Sequence, residues 1–229
     1  MKAKNIWICI ILASIGYCGC SDMYSLHDEY MQRGETIYVG QPDSVKIFPG
    51  KNRVKITYRN YDPKVGKLTI YWDFRDGSAS FDVPANKLGE EVEMIVEGLK
   101  EKQYTFELVT TNPVGLYSSI PLYITGQVYG TNYVATLSNR KISKASIFPS
   151  NNNRIEIVWT NVIDNMVCVE LLYHNTLNEE TILLVDNNQM ETIITDSKDE
   201  NIRYRTLHLP ENCIDMFYTN YVPINLLTL

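Results

Sequence analysis

A chain of 229 residues with 45% hydrophobic and 11% aromatic content is long enough for one large or two small packed domains, and its composition is not that of a disordered protein. The formal net charge of −6 argues against a nucleic-acid partner, which would need a basic stripe, and against charge-driven adhesion on anionic lipid.

The N-terminus has a charged start, Lys2 and Lys4, followed by an apolar stretch from Ile6 to Ile15. That stretch is shorter than the roughly 20 apolar residues of a permanent membrane-spanning helix. It has the plan of a secretory signal peptide over residues 1–19. Two cysteines compete to begin the mature chain. Cys18 follows the bulky Tyr17, whereas Cys20 follows Gly19, the small residue that cleavage prefers. Cys20 is therefore the expected site of diacylglycerol attachment, with ordinary secretion or an uncleaved anchor as the alternatives. A cysteine carrying two acyl chains stays in its membrane. Only Cys168 and Cys213 then remain free in the mature chain. Two separately buried thiols are expected there rather than a disulfide.

Residues 20–42 are polar, lack alternation and read as a tether that spans up to roughly 70 Å when extended. Beyond them the sequence repeats itself. Val45-Lys-Ile-Phe-Pro-Gly-Lys-Asn-Arg-Val-Lys-Ile-Thr-Tyr58 parallels Ser146-Ile-Phe-Pro-Ser-Asn-Asn-Asn-Arg-Ile-Glu-Ile-Val-Trp159. Repetition at this separation marks a duplicated domain. Within the first copy, Val54/Ile56/Tyr58, Leu68/Ile70/Trp72, Val92/Met94/Val96 and Tyr104/Phe106/Leu108 alternate with mostly polar neighbours, the period of strands with one buried face. Turn signals separate them, among them Asp76-Gly77, where a hairpin is expected to use glycine at positive φ. In the second copy Ile155/Ile157/Trp159, Val167/Val169/Leu171/Tyr173, Ile182/Leu184, Thr192–Ile194 and Ile202/Tyr204 repeat the scheme, less regularly after Asp186. The fold class is all-β, two tandem sandwiches. The expected divisions are 43–130 for the first, 131–143 for a linker and 144–229 for the second. In the linker, Tyr133 and Leu137 lie four apart behind Thr131 or Asn132, which suits a short helical turn capped by one of those side chains.

The run Gly98-Leu99, Tyr104-Thr-Phe-Glu-Leu-Val-Thr-Thr-Asn112-Pro-Val-Gly115-Leu-Tyr-Ser118 resembles the later strands of a fibronectin type III domain. The resemblance implies a fibronectin type III/immunoglobulin-like sandwich and a tyrosine corner at Tyr104, whose hydroxyl satisfies a backbone group at the bend. Over nearly the whole mature chain the sequence also resembles an uncharacterised family of surface lipoproteins from Gram-negative gut anaerobes, a domain of unknown function. The stretches that carry this are Gly34-Glu-Thr-Ile-Tyr38, Asp43-Ser-Val-Lys-Ile-Phe-Pro-Gly-Lys-Asn-Arg53, Leu137-Ser-Asn-Arg-Lys-Ile142 and Tyr204-Arg-Thr-Leu-His-Leu-Pro210. That resemblance implies lipid anchoring in the outer membrane, facing the cell surface, and association with glycan harvesting.

No catalytic motif accompanies this architecture. Gly-x-Ser-x-Gly, His-Glu-x-x-His and phosphate-cradling glycine loops do not occur. His27-Asp28-Glu29 falls in the tether, without the rigid frame acid–base work requires. His174 and His208 have no partner spacing and are expected at surface or edge positions. The carboxylates of Asp73–Asp76 and Asp196–Asn201 do not follow a calcium-loop pattern. Neither a metal, a cofactor nor an enzyme activity is expected. The best ligand candidate is Tyr71-Trp72-Asp73-Phe74: exposed rings with nearby carboxylates are what a sugar needs, although the same residues also suit strand packing. Asp43-Ser44-Val45 matches a short acceptor pattern for O-glycosylation at Ser44. The chain is thus expected to be a non-catalytic envelope protein that displays two sandwiches. Its partner is a polysaccharide or, as the alternative, an outer-membrane protein gripped through strand edges.

Overall fold

The computed structural model describes residues 38–149 and 154–229. The first repeat begins with a hairpin of β1 (Asp43–Pro49) and β2 (Arg53–Arg59), to which β5 (Glu91–Glu97) adds on the far side of β2. A second sheet runs β4 (Gly77–Asp82), β3 (Lys67–Trp72), β6 (Lys102–Thr111), β7 (Leu122–Val128). Three strands on four is the arrangement of a fibronectin type III-like sandwich. The alternating residues face inward as their period requires: Val54, Ile56, Tyr58, Leu68, Ile70, Phe106 and Leu108 are buried in one core.

Several local expectations meet their physical test here. The Tyr104 hydroxyl accepts a hydrogen bond from Lys100 N at 3.1 Å, which makes the tyrosine corner. In the loop after β6, Asn112 Oδ1 accepts from Leu116 N and Tyr117 N at 2.8 and 3.1 Å, while Gly115 takes a φ of +75°. Gly77 departs from its expected role. The left-handed residues of the β3–β4 turn are Asp73, Phe74 and Arg75, and Gly77 is not among them. Glycine is needed at 77 because the indole of Trp72, its cross-strand partner, occupies the place of a side chain: a Cβ would lie 2.1 Å from Nε1.

The second sandwich repeats the plan with β8 (Ile142–Phe148), β9 (Arg154–Trp159), β10 (Met166–His174), β11 (Glu180–Asp186), β12 (Glu191–Ile194) and β13 (Arg203–His208). Its sheets run β12-β9-β8 and β11-β10-β13. The last strand is broken into β14 (Phe217–Tyr218), β15 (Val222–Pro223) and β16 (Leu227–Thr228). β14 and β15 pair with β13, and β16 crosses to the other sheet to pair in parallel with β8. Ile182 and Leu184 do not take the inward positions that their alternation suggests. They lie 54% and 60% exposed, while Val185 is buried and Leu183 packs on the core. Ile182-Leu-Leu-Val185 is apolar throughout, so either parity was open; pairing of Val169 with Val185 and Leu171 with Leu183 selects the odd set.

The linker forms α1 (Thr131–Thr136), with Gly130 at its N-cap and no side-chain cap from Thr131 or Asn132. The capping acceptor comes instead from the first sandwich. Glu101 accepts from Asn132 N and Tyr133 N at 2.7 and 2.6 Å, which satisfies two of the free donors of the first turn. Tyr133 packs against Tyr129, the rings tilted with centroids 4.5 Å apart, and meets Phe217 of β14 at 5.0 Å. Beside this aromatic cluster, Arg53 forks onto Asp215 at 2.9 and 2.5 Å, Lys51 N donates to the same carboxylate, and Ile214 N donates to Pro49 O. The two sandwiches therefore meet through a packed and hydrogen-bonded joint.

Candidate functional site

The outward face of the β4-β3-β6-β7 sheet carries a row fixed by register: Tyr71 on β3 opposes Glu107 on β6, which opposes Tyr123 on β7. Period two aims these side chains away from the core because Ile70, Phe106 and Leu108 occupy the inward positions. The β3–β4 turn folds back over the row. Arg75 sits over the Tyr71 ring at 4.7 Å and forks onto Glu107, with Nε to Oε2 at 3.0 Å and Nη2 bonded to Oε1. The hydrogen bond and charge of Arg75 hold the Glu107 carboxyl below its ordinary range, and Glu107 raises Arg75 in turn.

That turn is strained. Asp73, Phe74 and Arg75 are three successive non-glycine residues at positive φ, a conformation that costs about 1–3 kcal/mol per residue. Lys102 holds it by gripping both carboxylate oxygens of Asp73 at 2.8 and 2.9 Å, and Asp76 N donates to Asp73 O. One result of the strained conformation is a fully exposed ring at Phe74. Tyr71, Phe74, Arg75, Thr105, Glu107 and Tyr123 surround a cleft of about 450 Å³.

The predicted aromatic segment thus divides. Tyr71 and Phe74 present rings to this cleft. Trp72 also borders it, but its ring packs on the core, edge-on to Phe106 at 6.3 Å and over Gly77, so its larger part is structural. Glu107 and Arg75 belong to the same site and were not singled out in the sequence; Tyr123, which by residue type alone could equally serve packing or a ligand, joins them. The signal for Glu107 and Tyr123 lies in cross-strand register, which pairs residues far apart in the chain, and that for Arg75 in the left-handed turn.

The remaining candidates fall elsewhere. Cys20 and His27-Asp28-Glu29 lie outside the described residues. Ser44 is exposed near the start of β1 at a φ of +50°, within an irregular stretch of pairing, with its hydroxyl donating to Asp43 Oδ1 at 2.6 Å. His174 ends β10. His208 is not at a surface or edge as expected: it is buried, with Nε2 3.1 Å from Ser138 O, because β13 is central in its sheet and the linker crosses it. Asp196 accepts from the Tyr173 hydroxyl at 2.9 Å, and Asp199 accepts from Asn201 N, so these carboxylates serve their own loop. Cys168 and Cys213 are both free thiols, and burial pushes each above the ordinary cysteine value. Among the described residues no group of three or more His, Cys, Asp or Glu side chains gathers to hold a metal ion.

The second sandwich carries related chemistry, an arginine paired with a carboxylate beside two tyrosines. Arg205 bonds Glu170, and its guanidinium lies 4.3 Å from the Tyr218 ring and 4.6 Å from the Tyr221 ring. A cleft of about 490 Å³ beside Tyr173, His174 and Asn201 has no exposed ring to offer, since Tyr173 is buried.

The family model DUF4998, a domain of unknown function, matches residues 20–217. A two-domain fibronectin type III segment from chicken tenascin is similar over 81% of this chain and 98% of that chain, at 16% identity and a TM-score of 0.32. The strand order described above, and not this likeness, carries the fold. No curated protein sequence matches the chain.

Proposed function

We propose that this chain, which belongs to the DUF4998 family, is a non-catalytic, lipid-anchored protein of the outer membrane that displays two sandwiches at the cell surface and binds glycan through the first. The single observation that supports glycan binding is the cleft bounded by Tyr71, Phe74 and Tyr123 over the Glu107–Arg75 pair. A sugar offers C–H faces that stack on aromatic rings, and hydroxyls that an ionised carboxylate and a guanidinium bond in opposite senses. Holding Phe74 fully in solvent by a strained turn has no use in packing. The anchor is the acylated Cys20. Ser44, exposed at the start of β1, is the proposed O-glycosylation acceptor.

Affinity electrophoresis of the 21–229 chain through a panel of polysaccharides tests the binding. Retardation by at least one glycan, abolished in Tyr71→Ala and Tyr123→Ala with circular dichroism unchanged, is expected. No retardation by any polysaccharide would overturn the glycan reading. Palmitate incorporation lost in Cys20→Ala is the parallel test of the anchor, and a mass increment lost in Ser44→Ala tests the modification.

A second reading has its own observation. β11 is an edge strand with Ile182 and Leu184 exposed on its outer face, the kind of edge to which a partner protein adds a strand. In that reading the chain is an assembly module of an outer-membrane complex. Capture of an outer-membrane protein that is lost in Ile182→Lys/Leu184→Lys, together with no glycan retardation, would favour it.

A further inference from the structure

The two ends of the first sandwich differ in chemistry. At one end Pro49, Lys51 and Glu101 join the second sandwich and its linker. The opposite end, one strand length away, gathers three connections: the β2–β3 loop, the β4–β5 connection and the β6–β7 loop. They are in mutual contact. Gly66 approaches Pro113 so closely that a Cβ would lie 2.7 Å from its ring, and Gly89 N donates to Asn60 O at 2.7 Å. Apolar side chains project from these loops. Val114 and Leu116, either side of Gly115 at the apex of the β6–β7 loop, are each 76% exposed, and Ile120, Tyr61 and Leu88 are exposed around them.

The chain also enters the fold at this end. Thr110 Oγ1 donates to Gly40 O, Gly40 N donates to Asp62 Oδ2, and the Gln41 amide donates to Ile120 O. Whatever holds the chain upstream of Val39 therefore pulls on this end and not on the second sandwich. From Cys20 to Val39 the chain extends at most about 70 Å, so an anchored lipid permits direct contact between this end and the bilayer.

We infer that the β6–β7 loop, with Val114 and Leu116 at its apex and Tyr61 and Leu88 beside it, seats in the lipid interface of the membrane to which the chain is anchored. The inference rests on the proposed acylation of Cys20. A loop apex is convex, so it gives a small molecule no enclosure, whereas a bilayer interface accepts projecting aliphatic side chains with aromatic rings at the rim. Lys64, Lys87 and Glu90 are exposed on the same loops in mixed sign, so the contact is apolar and insensitive to salt. This seating sets the long axis of the first sandwich upright on the membrane and keeps the Tyr71 cleft, which lies toward the joint, away from it.

The test separates this contact from the acylation on which it rests. The cores are built from residues 39–224, so the 21–229 chain holds its own fold. It is produced with an N-terminal hexahistidine tag in place of the acylated cysteine and bound to phosphatidylethanolamine–phosphatidylglycerol vesicles that contain a nickel-chelating lipid. Cys168 and Cys213 are replaced by Ala, and a nitrobenzoxadiazole label is placed at Val114→Cys or at Leu177→Cys, a residue equally exposed at 76% on the far end of the second sandwich. The label at 114 is expected to gain at least twofold in emission on the vesicles and to be quenched by doxyl-labelled lipid, at low and at high salt. The label at 177 does neither, and Leu116→Asp/Ile120→Asp removes the response at 114. Equal, water-like emission at both positions would overturn the inference, as would a gain at 114 that doxyl lipid fails to quench, which reports contact between copies. Mass analysis of Cys20 in the envelope protein decides the acylation separately.

Discussion

Arg140→Lys probes the least conspicuous determinant of the second sandwich. Arg140 is fully buried. Its Nε and Nη2 donate to Thr160 O at 3.0 and 2.8 Å, Nη1 donates to Gln189 O at 3.0 Å, and Trp159 lies 5.7 Å from the guanidinium carbon. Its backbone N donates to Thr206 Oγ1 at 2.8 Å, so the residue also ties the linker to β13. Burial lowers the arginine pKa, yet arginine stays protonated in proteins, and backbone carbonyls solvate its charge. A lysine keeps the charge but replaces the planar fork with a compact, more strongly hydrated ammonium. One ammonium cannot span Thr160 O and Gln189 O as the guanidinium does, and an acceptor left unsatisfied costs about 1–3 kcal/mol. With the added desolvation, the loss should be about 3 kcal/mol. For a unit of this size 1 kcal/mol moves Tm by about 2–4 °C, so a fall of roughly 6–12 °C is expected. Urea unfolding followed by tryptophan emission suits the measurement, because Trp159 is adjacent. A loss below about 0.5 kcal/mol would refute the reasoning, since it would mean that these carbonyls find other partners at no cost.

Other substitutions test other links. Tyr58 is fully buried, its hydroxyl has no partner among the described residues, and burial pushes its pKa to about 12; Tyr58→Phe should raise stability by about 1 kcal/mol in urea unfolding. A loss of stability instead would show that the hydroxyl is bonded. At the joint, the hydrogen bond from Arg53 holds the Asp215 carboxyl below its ordinary value against the opposing effect of burial. A depressed folded pKa contributes stability that is full above the unfolded value of about 3.9 and is lost as pH falls through the folded value. Asp215→Asn should therefore cost about 1.5–3 kcal/mol at pH 7 and flatten the acid limb below about pH 4, read from urea midpoints at pH 7, 4 and 2.5. An acid limb as steep as in the wild type would assign that limb to other groups. Glu101→Ala removes the acceptor for two helix N–H groups, so a loss of about 1 kcal/mol and greater spread in the angle between the sandwiches, read by small-angle scattering, is expected.

How far the chain could be read from its sequence follows from where each signal resides. Central strands with one buried face are legible because period two is local: Val54/Ile56/Tyr58 and Tyr104/Phe106/Leu108 fall inside as their pattern says. Edge strands are weaker. β4 (Ala79/Phe81) and β7 (Leu122/Ile124/Val128) alternate too, but over fewer large apolar residues, and the two-residue strands β14, β15 and β16 are too short for any period to show. At Ile182-Leu-Leu-Val185 every residue is apolar, and only pairing with β10 fixes the parity. The candidate site was half legible. Tyr71 and Phe74 stand out by residue type, whereas Glu107 and Tyr123 join them only through register, and Arg75 only through the left-handed turn. Arg140 and His208 gave no sign of burial because such residues are mostly solvated or only partly covered. The cap of α1 was misplaced for a related reason: its acceptor, Glu101, comes from a distant part of the chain.

The central claim is that a sugar ring seats between Tyr71 and Tyr123 over the Glu107–Arg75 pair. Tyrosine rings labelled with carbon-13 in the 21–229 chain, followed by NMR while an oligosaccharide of the retarding glycan is added, test it most directly. The resonances of Tyr71 and Tyr123 should shift first and saturate together, while those of Tyr218 and Tyr221 beside Arg205 in the second sandwich stay in place. A titration that moves Tyr218 and Tyr221, or that leaves Tyr71 and Tyr123 unmoved at saturation, would contradict it.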